Sequence, residues 1–330
     1  EGIYLAIGFI AVGAGMASTN LFAEIGKEYS GKSRNIESGM TLYYAMTNLG
    51  AYIGIFIAVI YADYKTGFCL MAILSAGSLI SYVLIPKETV NFGSAVLEEK
   101  TKKERPITLS GIGISATIVI GIGAIIYWNC FEYVGGELTL ALHTLNNFSG
   151  IQDVNISILY TNTNAFVVII SGTILTFLYL NKKFSPFIKA GIGLIMFAIA
   201  LVCFSFLIQS DVNIFTVIIL SQILFSISEI LIAPTLLSFY VKKIPKNRLA
   251  FAIGIGSVVT MLAMKIVSNM QNYSSEATSN FLLYSVPVII LLVAIGVPFL
   301  FFDKLFAEKE PTPEEGSGYD DEFDFNDDIV

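Results

Sequence analysis

The sequence predicts an all-α integral membrane protein, a helical bundle of about nine transmembrane helices. Three observations predict it. Of its 330 residues 55% are hydrophobic and only 14% charged, where a soluble domain carries about 25% charged residues. Nine apolar runs stand along the chain, and each meets or approaches the ~20 residues that let a helix cross a ~30 Å hydrocarbon core. A membrane barrel would instead show alternating segments of about ten residues, and none occur.

The runs cover residues 2–22, 37–62, 66–86, 109–132, 155–181, 186–209, 213–241, 248–271 and 281–302. The first opens EGIYLAIGFI. It lacks the basic lead-in of a signal peptide, so the start is expected to lie inside a longer membrane protein. The second carries Tyr43, Tyr44 and Asn48 among apolar neighbours; the fourth carries Trp128 and Asn129 and ends at Glu132. Its Gly121 and Gly123, like Gly13 and Gly15 in the first, suit close helix approach. The fifth holds Asn162 and Asn164, and the eighth has Lys265 near its end, placed to snorkel to the interface.

Basic residues test the span count. The segments 23–36, 87–108, 182–189 and 242–248, with the tail, hold 17 of the 19 Lys and Arg, whereas 133–154, 210–212 and 272–280 hold none. Such alternation follows from the positive-inside rule, and a wrong count would scramble it. It predicts a multi-pass protein of the cell membrane with a cytoplasmic C-terminus. Residues 1–86 read as three helices remaining from an N-terminal half, 87–108 as a cytoplasmic basic linker, 109–302 as a C-terminal half of six helices, and 303–330 as an acidic tail. The tail is rich in Pro, Gly and acid, and is predicted to be disordered. It holds 11 Asp/Glu and 2 Lys, a net of −9, so the remaining 302 residues, with 17 Lys/Arg and 15 Asp/Glu, carry +2. The overall charge of −7 therefore belongs to the tail, and no nucleic-acid partner is implied.

One histidine, His143, and three scattered cysteines, Cys69, Cys130 and Cys203, offer neither a metal-ligand set nor a disulfide framework. No metal or cofactor is expected. The chain has no HExxH, and no GxSxG with a partnering His, so an enzyme is not the expected reading.

The residue that most needs explaining is Glu229, in FSISEILIAP. It is the single charge in the 28 residues Ile214–Val241. A carboxylate at the bilayer centre costs about 2.5–3.5 kcal/mol on insertion scales. It persists by facing a wet cavity, by pairing, or by keeping its proton, since burial favours the neutral form. Such an acid suits proton exchange and contact with a cargo ammonium; hydrogen bonding to Ser226 or Ser228 for structure alone is the alternative. Glu132, Trp128 and Phe131 share a helix face, apt for a peptide amine or a proton relay. Tyr43, Tyr44, Asn48 and Asn129 offer donors and acceptors for amide groups, or helix–helix hydrogen bonds worth roughly 0.6 kcal/mol.

Four segments in order resemble the proton-coupled oligopeptide transporter (POT/PTR) family of the major facilitator superfamily. AVGAGMASTN (11–20) is similar to its fourth-helix AVGTGLFKPN; TLYYAMTNLGAY (41–52) to FYxxINxGSL; YWNCFE (127–132) to the seventh-helix FWxxFEQ; SEILIAPTLLS (228–238) to the tenth-helix GELCLSPVGLS. The resemblance covers roughly residues 1–270. It implies a twelve-helix major facilitator-type fold of which helices four to twelve are present, the three absent helices being needed for a complete cavity. It also implies symport of di- and tripeptides with protons by alternating access, with Glu229 at the centre and Glu132, Tyr43, Tyr44, Asn48, Trp128, Asn129, Asn164 and Ser18 at the substrate and proton sites. Its expected partners are a small peptide, protons and membrane lipid. The chain departs from the pattern at several places: Ser18 stands where the family has lysine, Thr19 where proline follows it, and Asn164 where its SLNP has proline. Without that lysine to neutralise it, Glu229 is expected to hold a proton when no cargo is bound. Two other readings stay open: a carrier of another small amine or amino-acid-like cargo, and a non-transporting membrane sensor that keeps the fold.

Overall fold

A computed structural model describes residues 2–29, 36–61, 64–84, 115, 118–131, 156–182, 184–207, 214–244, 248–271 and 281–306. Among these, nine helices and no strands occur: α1 (Gly2–Tyr29), α2 (Ile36–Tyr61), α3 (Tyr64–Leu84), α4 (Ile118–Phe131), α5 (Ile156–Asn181), α6 (Pro186–Leu207), α7 (Ile214–Lys243), α8 (Leu249–Gln271) and α9 (Phe281–Phe306). Seven of them are long and apolar enough to cross a membrane, and the apolar stretches in α4 and α8 are shorter. The architecture is an all-α membrane bundle. The 26 residues of α2 make a rod of about 39 Å, more than the ~30 Å core. Where described, the helix ends fall within a few residues of the apolar runs, except that α1 continues to Tyr29 and α4 is described from Ile118, inside the run 109–132. The linker 87–108, most of the tail, Glu132 and His143 lie outside the described residues.

Between helices in lipid the hydrophobic effect contributes little, so close packing and hydrogen bonds hold them. The centre of the bundle is aromatic. Phe197 of α6 meets Tyr127 of α4 at 5.4 Å and Phe225 of α7 at 5.2 Å between ring centroids, both edge-on, the arrangement that aromatic quadrupoles favour. Phe187 of α6 meets Phe299 of α9 in the same way at 5.9 Å. A second, smaller core joins α1, α2, α7 and α8 through Ala23, Met40, Val241 and Ile253. Helix α3 touches the rest lightly, through α2.

Helices α2, α5 and α7 converge because Gly172 of α5 leaves no side chain between them. A Cβ there would lie 2.9 Å from the Ala45 Cβ of α2 and 3.1 Å from the Ile230 Cδ1 of α7. Ala45 follows Tyr44, and Ile230 follows Glu229, so this close approach brings the groups of the site together. Pro234 sits inside α7. Its ring nitrogen cannot donate to the carbonyl of Ile230, one turn earlier, just past Glu229.

Candidate functional site

Glu229 is 5% exposed, buried between three helices. Its Oε1 accepts a hydrogen bond from the Tyr44 hydroxyl of α2 at 2.5 Å, and its Oε2 accepts one from Asn164 Nδ2 of α5 at 2.9 Å. Each donor comes from a different helix, and neither is charged. The serines beside Glu229 are engaged elsewhere. Ser226 Oγ accepts from Asn164 Nδ2 at 3.0 Å, and Ser228 donates to the Gly193 carbonyl of α6 at 2.9 Å. Asn164, the position at which the sequence departs from the family's proline, is therefore a ligand of the central acid. A proline there would have no donor to offer.

A groove of about 300 Å³ opens beside this cluster, between α1, α2, α4, α7 and α8. Tyr44, Trp128, Tyr240, Ser257, Thr260 and Met261 are in its wall, and among the described residues its lining holds no Lys or Arg. Ser257 and Thr260 donate to carbonyls of their own helix. Glu229 itself does not line the groove; Tyr44 stands between the two. The acid that the sequence places beside an aqueous vestibule thus sits one hydroxyl behind the wall.

The other residues singled out from sequence divide into near and far. Trp128 is half-buried on the groove wall and lies edge-on to Phe131 at 5.7 Å. Tyr43 is half-buried and edge-on to Phe22 of α1 at 4.5 Å. The Asn48 amide donates to the Tyr44 carbonyl at 3.0 Å, one turn back. Asn129 is buried and donates to the Ile125 carbonyl at 2.7 Å, while its Oδ1 has no partner among the described residues. Ser18 is exposed on α1, and its hydroxyl turns back to the Gly15 carbonyl at 3.4 Å; it is not part of the cluster. Glu132 lies outside the described residues.

A second acid was not among those expected. Glu37, in the first turn of α2, is 8% exposed. Its Oε2 receives Lys189 Nζ of α6 at 2.8 Å, and its Oε1 receives Lys242 Nζ of α7 at 2.7 Å. The Lys189 ammonium also lies 4.7 Å from the centroid of the Tyr179 ring of α5, within reach of a cation–π contact. Next to it, Ser38 donates to the Thr176 carbonyl of α5 at 3.0 Å. The two lysines stand near the helix ends, where charge is ordinary. What marks them is that α2 begins, α5 ends, α6 begins and α7 ends on one side of the bundle.

No protein-family model and no solved structure matches the chain. Over 127 residues, 38% of this chain, it is 27% identical to the dipeptide and tripeptide permease B of Xenorhabdus bovienii (strain SS-2004). The aligned segment spans a quarter of that permease's length. The chain is thus distantly similar to a peptide permease.

Proposed function

We propose that this chain belongs to a secondary transporter of the POT type within the major facilitator superfamily, which carries di- and tripeptides across the cell membrane with protons by alternating access. One observation supports this above the rest: a carboxyl buried at mid-bundle, bonded among the described residues only to uncharged donors from two other helices, beside a groove. A carboxylate fixed by a lysine would keep its charge. One bonded to a phenol and an amide is free to gain and lose a proton, or to take an ammonium group as partner. The distant similarity to a peptide permease supports the same class of cargo, and Trp128 with the Tyr44 ring gives the groove surfaces for apolar side chains. Glu229 holds its proton when the groove is empty and gives it up as a cargo ammonium binds. The chain's C-terminal tail lies in the cytoplasm.

The test is uptake of the dipeptide Ala-Ala by the full chain in liposomes with an imposed proton gradient. E229Q abolishes accumulation above the external concentration and keeps exchange of internal for external Ala-Ala. Gradient-driven accumulation by E229Q at the wild-type rate overturns the reading.

A second reading has its own observation. Among the described residues the groove lining has no Lys or Arg to meet a cargo carboxylate, and Ser18 replaces the lysine of the family pattern. A small amine without a carboxylate fits such a lining better than a peptide. Competition decides: dipeptides block uptake of labelled Ala-Ala more strongly than simple alkylamines if the cargo is a peptide, and the order reverses if it is an amine.

A further inference from the structure

The two oxygens of Glu229 stand in unlike settings. Oε2 faces Asn164 Nδ2 at 2.9 Å, and the same nitrogen lies 3.0 Å from Ser226 Oγ. A primary amide carries two hydrogens, so both are committed. Ser226 in turn reaches back to the Asn164 carbonyl at 3.4 Å. Ser226 and Glu229 are three residues apart on α7 and share a face. Oε2 is therefore held in a closed circuit of α5 and α7, and neither Asn164 nor Ser226 lines the groove. Among the described residues Oε1 has a single donor, Tyr44, whose side chain is in the groove wall. Releasing Oε1 breaks its bond to Tyr44, whereas the Asn164 amide must break two bonds to leave.

We propose that the two oxygens are specialised. Asn164 is a positioning residue that pins Oε2, and Oε1 is the oxygen that a cargo ammonium reaches by displacing the Tyr44 hydroxyl. The assignment rests on Glu229 being the acid that meets the cargo amine. An ammonium–carboxylate hydrogen bond is roughly twice as strong as a neutral one, so the exchange at Oε1 favours cargo. At Oε2 nothing from the groove competes. Among the described residues the partners that face the carboxyl are uncharged, Tyr44 from α2 and Asn164 from α5.

The experiment measures KM and turnover of the full chain in liposomes for two probes, Ala-Ala and N-acetyl-Ala-Ala, which lacks the ammonium. N164A raises KM for Ala-Ala about tenfold, as expected for losing a hydrogen bond to a charged group. It leaves KM for the acetylated probe unchanged, so the discrimination between the two collapses. Y44F lowers KM for Ala-Ala about threefold, because cargo no longer displaces a hydroxyl. S226A frees one amide hydrogen and raises KM about threefold; if N164A does not fold, S226A decides alone, and an unchanged KM overturns the assignment. An Asn164 that merely packs helices lowers turnover for both probes alike and leaves the KM ratio intact, which overturns it too. So does a Y44F variant whose KM rises as far as that of N164A. E229Q separates the two levels. If it keeps the wild-type preference for Ala-Ala, the reading of Glu229 itself fails; if it loses the preference while N164A keeps it, only the division of the oxygens fails.

Discussion

Glu37 and Glu229 are both buried, 8% and 5% exposed, yet they are held by partners of different kinds. Glu37 has an ammonium on each oxygen, one from α6 and one from α7. Glu229 has a phenol on one oxygen and an amide on the other. Two cations around one acid fix its charge, because any neutralisation would strand lysines in a low-dielectric interior. Neutral donors fix position without fixing charge. On the proposed function the contrast separates a joint from a working group, although both acids hold α2 against α7.

The largest way to test the contrast is to remove the charge of Glu37. E37Q leaves the buried Lys189 unpaired and lowers stability by about 3–5 kcal/mol, read as a drop in the thermal midpoint of the purified protein in detergent. The double variant E37L/K189L, which removes both charges, recovers most of that loss. If E37Q melts like the wild type, the acid is no joint. Next comes the close approach behind both acids. G172V pushes a branched side chain into Ala45 and Ile230 and is expected to cost about 1–3 kcal/mol; because α2 and α7 are forced apart, it also lowers Ala-Ala uptake. E229Q should be milder for the fold, about 1 kcal/mol, since the glutamine keeps one acceptor and misplaces one hydrogen bond. Its transport defect exceeds its melting defect, and that ratio is reversed for E37Q. The smallest effect is expected for K242A. The Lys242 side chain is 31% exposed against 4% for Lys189, and exposed pairs contribute about 0–1 kcal/mol. A K242A variant as unstable as K189A would show that both lysines carry the joint.

How much of this was legible in the sequence follows from what each residue has as neighbours in the chain. The helices were legible because an apolar run long enough for a bilayer has no soluble alternative. Glu229 was legible because it is the single charge in its run. Tyr44 could be named from its segment, but not its bond to an acid 185 positions away. Asn164 read as a departure from a family pattern, and only the approach of α5 to α7 turns it into a donor. Glu37 was not legible: a charge in the first turn of a span is commonplace, and its lysines lie 152 and 205 positions away. Lys189 and Lys242 were counted as loop charges, and their burial depends on helix packing that no local pattern encodes. Ser18 stands where the resemblance places a lysine, but its side chain is exposed on α1 and bonds its own helix.

Seven residues separate Glu37 from Tyr44 on α2. Two turns of helix put them on the same stripe, about 10.5 Å apart along the axis. A straight rod pinned at two places cannot shift at one pin and stay still at the other. Tilting α2 far enough to part the phenol from its acid drags the lysine anchorage along, so a spectroscopic label placed near the first turn of α2 would sense events two turns deeper without touching them.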